Sequence, residues 1–351
     1  MMNAVERTNT TLVFGRPDRL PVDLHNFQPA AAALGVPLQE VFRDGDLLAE
    51  SQIRAWRQFG HDVIMLESGT SSSAEACGVE VVYRDDAAPV ATRPVLTSLE
   101  DVEKLRPLDP WTTFPWSEIL KATRIVAREI GDRAYIIGRG DQGPFSLALM
   151  LRGYEAFMLD IALNEKPHLI ERLLDYCRET ATRFAMAQIE AGAHATSIGE
   201  SPSGPDVVSP RHYRRWAFPH QVRMIGAFRA QGKVIAHHIC GNVASILDDF
   251  VATGAQITEI DHKTDLAKAR DAARGKTTIL GPIDTNLLAF GTPDAVDAAC
   301  REAIDTMRGN APFHTGFILG PGCALAPETP DDNIHALVEA ARKYGRNDDQ
   351  P

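Results

Sequence analysis

The sequence predicts a (β/α)8 barrel with an N-terminal extension, folded as a single domain over residues 1–351. Three observations lead there. Short apolar runs recur along the chain, and most are followed by a stretch of helical periodicity, the alternation of a parallel sheet covered by helices. Polar residues collect just beyond many of these runs: Glu67, Asp141, Glu200, His238 and Cys240, Asp261 and His262, Asp284, and Cys323. A barrel brings all its strand ends to one mouth, whereas an open sheet spreads them along an edge. Finally, 351 residues, 44% of them hydrophobic, suffice for one large barrel core.

Taken in order, residues 12–22 read as an extended lead-in punctuated by Pro17 and Pro21. Residues 47–60 form an amphipathic helix ending at Gly60. Residues 62–66 are a buried strand, with Glu67, Ser68 and a serine-rich loop beyond it. Residues 79–83 and 90–95 make an accessory hairpin. Residues 99–105 are a short helix capped by Ser98, and 116–130 a longer one. The strand at 134–138 leaves through Arg139-Gly140-Asp141-Gln142-Gly143-Pro144. Helices at 147–163 and 167–191 lead to a strand at 194–198, and Glu200 lies just beyond its end. After a helix at 210–231, Lys233-Val234-Ile235-Ala236 starts the strand that carries His238. Strands at 256–260, 277–280 and 314–319 follow, separated by helices at 266–274 and 293–307. A helix at 331–344 closes the chain. Residues 1–11 are polar and read as a frayed lead-in without the apolar segment of a signal peptide. Residues 345–351 read as a disordered tail.

The net charge of −11 argues against nucleic acid and anionic membranes as partners, since both call for basic patches. No apolar run approaches a membrane span. Cys77, Cys177, Cys240, Cys300 and Cys323 are an odd and sparse set in a chain that needs no disulfide staples, which places it in a reducing cytoplasm.

His238 and Cys240 are alternate residues at a strand end, so both point to the same face while His237 points away. Cys323 follows a second apolar run, Gly316-Phe317-Ile318-Leu319. One imidazole and two thiols converging from two strand ends suit zinc with an open fourth position. A plainer reading stands beside this one, because free cysteine also packs as a small hydrophobe and a strand histidine is often a hydrogen-bonded core residue.

The chain resembles the uroporphyrinogen decarboxylase superfamily, and within it the zinc-dependent corrinoid methyltransferases of the methylcobamide:coenzyme M type. The resemblance runs through Pro17-Asp18-Arg19-Leu20-Pro21-Val22, Glu75-Ala76-Cys77-Gly78, Gly143-Pro144-Phe145-Ser146, His238-Ile239-Cys240-Gly241-Asn242, Gly281-Pro282-Ile283-Asp284 and Gly322-Cys323-Ala324-Leu325-Ala326-Pro327. It implies a TIM barrel, zinc on His238, Cys240 and Cys323, and a cobalamin carried by a separate corrinoid protein. It also implies methyl transfer between that corrinoid and a thiol or a methylated oxygen or sulfur substrate, in either direction. The alternative within the superfamily is a decarboxylase-like lyase without metal. Against it, residues 38–46 lack the arginine-rich stretch with which decarboxylases clamp the carboxylates of a tetrapyrrole.

Further roles follow from the strand-end positions. Glu200 is the candidate for a displaceable fourth zinc ligand, or else a helix-entry or solvated carboxylate. Asp141 orients a ligand or substrate, or makes an Asx turn. Gln142 is expected at the substrate, and His262 either donates to substrate or cobalamin or is a hydrogen-bonded loop histidine. Asp284 supports either the substrate and His238 or the turn that follows it.

Overall fold

Seven of the apolar runs assemble into one curled, all-parallel sheet. A computed structural model describes residues 1–347 and gives β1 (Val63–Leu66), β4 (Tyr135–Gln142), β5 (Ala195–Gly199), β6 (Val234–Ile239), β7 (Ile257–Ile260), β8 (Thr278–Ile283) and β9 (Phe317–Pro321), hydrogen-bonded in that order. β2 (Glu80–Val82) and β3 (Val90–Arg93) pair as the separate antiparallel hairpin that the sequence predicts. Nearly every residue of the seven parallel strands is buried, as expected of strands with helices outside and a packed barrel within.

The lead-in closes the barrel. Asp23 N–H donates to the Leu319 carbonyl at 2.9 Å, Leu319 N–H to the Pro21 carbonyl at 3.0 Å, and Val63 N–H to the Val22 carbonyl at 2.9 Å. Residues 21–23 therefore lie between β9 and β1, bridged in parallel to both, and serve as the eighth stave. The run is too short and too polar to read as a strand, with Pro21, Asp23 and His25 interrupting Leu20, Val22 and Leu24.

Inside, alternate strand residues build layers. Val63, Tyr135, Ile137, Ala195, Ala236, Ile257, Leu280 and Ile318 fill the lower layer. Two residues further along β4, β5, β6 and β7 the inward positions become Arg139, Ser197, His238 and Glu259, so the upper layer is polar.

The expected frayed N-terminus is a helix, Ala4–Leu12, with an Asn3/Glu6 capping box. Val5 and Leu12 pack against the lower layer, so the helix plugs the barrel floor. Arg7 locks it in place through Asp18 at 2.7 Å and Asp62 at 2.6 Å, both at low exposure. The expected disorder from residue 345 is not seen in the first part of that stretch. Asn347 is buried, accepts from His314 N–H, and donates to the carbonyls of Pro17 and His314. Residues 348–351 of that tail lie outside the described residues.

β4 continues to Gln142, beyond the expected exit at 139. Gly138, Gly140 and Gly143 have the spacing of a dinucleotide-binding fingerprint. Here Gly138 and Gly140 lie within the strand, packed against Gln188 and the Ser197 carbonyl. Gly143 begins the helix Pro144–Arg152, but the place a phosphate would take is filled from within the chain by Glu200.

Candidate metal centre

β6 runs parallel to β7 with His238 opposite Glu259, and its extended backbone aims His238 and Cys240 at the same side. Gly241 then turns with φ +85°, where a Cβ would strike the Asp206 carboxylate. The turn is fixed by Gly241 N–H donating to Asp261 Oδ2 at 2.9 Å and by Thr264 Oγ1 donating to the Gly241 carbonyl at 3.1 Å. On the other side of the mouth, Gly322 N–H bonds the Ile283 carbonyl at the end of β8. A Cβ at Gly322 would meet His262 N at 2.9 Å, so glycine allows the approach that places Cys323.

The result is a three-donor cluster. His238 Nε2 lies 2.8 Å from Cys240 Sγ, which lies 3.6 Å from Cys323 Sγ. The ligand atoms all fall within 4.8 Å of one another, the only such group of three or more His, Cys, Asp and Glu side chains among the described residues. All five cysteines are free. One buried imidazole and two half-buried thiols at strand ends are a donor set that fits zinc.

The protonation pattern suits soft-metal capture. A hydrogen bond from Cys323, aided by His238, holds the Cys240 thiol down to about 3 despite burial. The same bond and burial push Cys323 upwards, so the pair is a thiolate and a thiol sharing one proton. Burial works against charge on His238, but Glu259 and the Cys240 thiolate outweigh it and raise the imidazole to about 9. Metal ligation requires both protons to leave. His237, as expected, takes no part. It faces Phe250 edge-on at 4.8 Å, with neither ring nitrogen bonded, and burial lowers it to about 3.

Glu200 is not among the cluster. Its carboxylate accepts Phe145 N–H at 3.0 Å, Ser146 N–H at 2.9 Å and Ser146 Oγ at 2.8 Å, capping the helix Pro144–Arg152. The nearby helix start offers this carboxylate two backbone donors and a hydroxyl, which hold it away from the three-donor cluster. Asp141 is buried with φ +63° and accepts from Ser72 Oγ and Ser73 N–H, which ties β4 to the short helix Ser72–Ala76 that follows β1. Its Oδ1 has no partner, and burial raises its carboxyl to about 6. Gln142 ends β4 with no side-chain hydrogen bond among the described residues. His262 is partly exposed at the mouth, with Nδ1 2.8 Å from Asp261 and 3.6 Å from Asp284. Asp284 caps the helix Thr285–Phe290 through Asn286 N–H, so the turn-capping alternative holds and His238 is supported by another residue.

That residue is Glu259. The carbonyl oxygen of Glu259 is 3.3 Å and its carboxylate 3.7 Å from His238 Nδ1. His25 lies 3.0 Å from Glu259 and 2.8 Å from Glu67, while Arg139 lies 3.5 Å from Glu67 and 3.8 Å from Glu259. Sequence reasoning missed His25, Arg139 and Glu259. The available signal was charge within apolar runs, as in Ile257-Thr258-Glu259-Ile260.

Residues 6–344 match the uroporphyrinogen decarboxylase (URO-D) family. A uroporphyrinogen decarboxylase from Syntrophotalea carbinolica is 30% identical over 312 residues, covering 88% of this chain and 87% of its own. A methylcobamide:CoM methyltransferase from Methanosarcina acetivorans is 26% identical over 319 residues, covering 89% and 88%. A solved methyltransferase from Methanosarcina mazei shares the fold, with a TM-score of 0.89 over 98% of this chain and 99% of its own at 24% identity.

Proposed function

This chain belongs to the uroporphyrinogen decarboxylase family, and from that premise we propose that it is a zinc-dependent methyltransferase working between a corrinoid and a thiol or a methylated oxygen or sulfur substrate. The observation that carries the reading is the convergence of His238, Cys240 and Cys323 at the barrel mouth. His238, Cys240 and Cys323 would hold a zinc ion there, and it would supply Lewis-acid activation of a thiol or of a methylated leaving group.

The chain's own residues prepare that chemistry. The hydrogen bond from Cys323 and the nearby His238 hold Cys240 towards the thiolate, and these neighbours carry the protons that metal binding would displace. The Gly241–Asp261 bond holds the turn that aims Cys240 inward. In this reading Gln142 and Asp141, at the end of β4, and His262, just beyond β7, are the polar groups assigned to the substrate. The name of the methyltransferase relatives gives a methylcobamide as one side of the exchange, and in this reading the corrinoid comes on a partner protein. Five free cysteines fit a reducing compartment. No helix among the described residues is long and apolar enough to cross a membrane.

The decarboxylase reading is weaker although one decarboxylase relative is 30% identical. Arg7 and Arg139 are the buried arginines among the described residues. Arg7 sits at the barrel floor and Arg139 faces Glu67 and Glu259. Arg43, in the region where a carboxylate clamp would stand, stacks on Tyr83 at 5.0 Å. A polycarboxylate would find no free guanidinium inside.

The deciding experiment is a paired assay. The protein is incubated with methylcobalamin and a panel of thiols while the methyl-cobalt spectrum is followed, and separately with uroporphyrinogen while coproporphyrinogen is followed. Loss of methyl-cobalt with no coproporphyrinogen is expected. Coproporphyrinogen formation without methyl transfer would overturn the reading.

A further inference from the structure

We infer that Glu259 and His25 are positioning residues for the metal centre: Glu259 fixes His238 with Nε2 towards the thiols, and His25 fixes Glu259. The inference rests on the zinc reading above and extends it into the barrel wall.

The geometry begins with register. Parallel pairing sets His238 opposite Glu259, and both side chains point into the barrel. His238 turns Nε2 to Cys240 at 2.8 Å, which leaves Nδ1 facing residue 259. That nitrogen meets the Glu259 carbonyl at 3.3 Å and the carboxylate at 3.7 Å. A histidine that ligates through Nε2 must carry its proton on Nδ1, and an acceptor there selects that tautomer, stops the ring from flipping and strengthens the donor.

The carbonyl is the hydrogen-bond acceptor, and the carboxylate at 3.7 Å adds its negative charge beside Nδ1, which a buried acid can supply only if it is itself held. His25 has carboxylate oxygens at both ring nitrogens, Glu259 at 3.0 Å and Glu67 at 2.8 Å. Carboxylates accept only, so both nitrogens donate and the ring is an imidazolium. It carries one positive charge between the two acids, and Arg139 adds a second. The four groups are balanced in charge, which is what permits ionised carboxylates in a dry interior. His25 belongs to the segment that closes the barrel beside β1. The metal site therefore depends on a residue more than 200 positions away that touches none of the three ligands.

The test measures zinc affinity by competition with a chromophoric chelator for the wild type, Glu259→Gln, His25→Gln and a control, His61→Gln. His61 is buried at the start of β1, at the opposite end of the barrel. Urea unfolding of each zinc-free protein is followed in parallel. Glu259→Gln is expected to weaken zinc binding by ~10–100-fold. His25→Gln should weaken it in the same direction by a smaller factor, and His61→Gln should leave it unchanged. If Glu259→Gln does not fold, His25→Gln, which keeps the carboxylate, decides. Wild-type affinity in Glu259→Gln, or an equal loss in the control, would overturn the inference. So would a wild type that binds no zinc. A wild type that binds zinc without transferring methyl groups, with Glu259→Gln still weakened, supports the inference and sinks only the functional reading.

Discussion

Asp261 accepts a hydrogen bond from the backbone N–H of Gly241 at 2.9 Å, so the loop that positions Cys240 at the end of β6 is anchored to the end of β7. Its other oxygen accepts from Lys263 N–H at 3.1 Å, which holds the carboxylate in place. Asp261→Ala should free the turn. A loss of about 1–3 kcal/mol is expected from the orphaned donors, together with weaker zinc retention on dialysis against a mild chelator. Full zinc retention would mean that the turn holds its shape without the anchor.

Cys240→Ala and Cys323→Ala should each abolish stoichiometric zinc binding and methyl transfer while leaving a cooperative unfolding transition. The hydrophobic clusters that build the barrel do not pass through the metal. Elemental analysis and urea unfolding check both halves, and a non-cooperative melt would make the site structural.

Glu200→Gln should act on stability and leave metal geometry alone. The amide keeps one acceptor but loses the charge that faces Phe145 and Ser146 N–H, at a cost of about 1–3 kcal/mol. The absorption spectrum of a cobalt-substituted site should be unchanged. A shifted spectrum would place Glu200 at the metal after all.

Asp23 gives the fold a pH dependence. Burial and nearby Glu259 push its carboxyl up to about 7 against the pull of His25, and neither oxygen has a partner. A carboxyl raised above its unfolded value favours the fold at low pH, and that contribution is lost as pH rises through about 7. Asp23→Asn should therefore resemble the wild type near pH 4 and become the more stable of the two at pH 8. Equal denaturation midpoints at both pH values would show that Asp23 is not protonated in the folded state.

Arg7→Ala should loosen the floor of the barrel. It leaves the buried Asp62 with Arg19 alone and unpins the helix Ala4–Leu12, at a cost of about 3–5 kcal/mol. Limited proteolysis should then release the N-terminal segment first. Protection equal to the wild type would mean that Val5 and Leu12 hold the plug unaided.

The chain by itself determined the barrel and the candidate cluster of His238, Cys240 and Cys323. Both are local signals: apolar runs with helical segments between them, and a His-x-Cys spacing that alternation on a strand turns into a shared facing for His238 and Cys240. The eighth stave was hidden because residues 21–23 become strand-like only through bonds to Leu319 and Val63, which are remote in sequence. Glu200 shows the same limit. Its position after β5 suited a ligand, but a helix start 54–55 residues earlier in the chain supplies its donors. The support of His238 was out of reach for the same reason. Only register between β6 and β7 brings Glu259 to it, and only barrel closure brings His25 to Glu259. Periodicity tells which way a side chain points along its own element, while its partners are set by how elements are stacked and closed, and that depends on the packing of the whole chain.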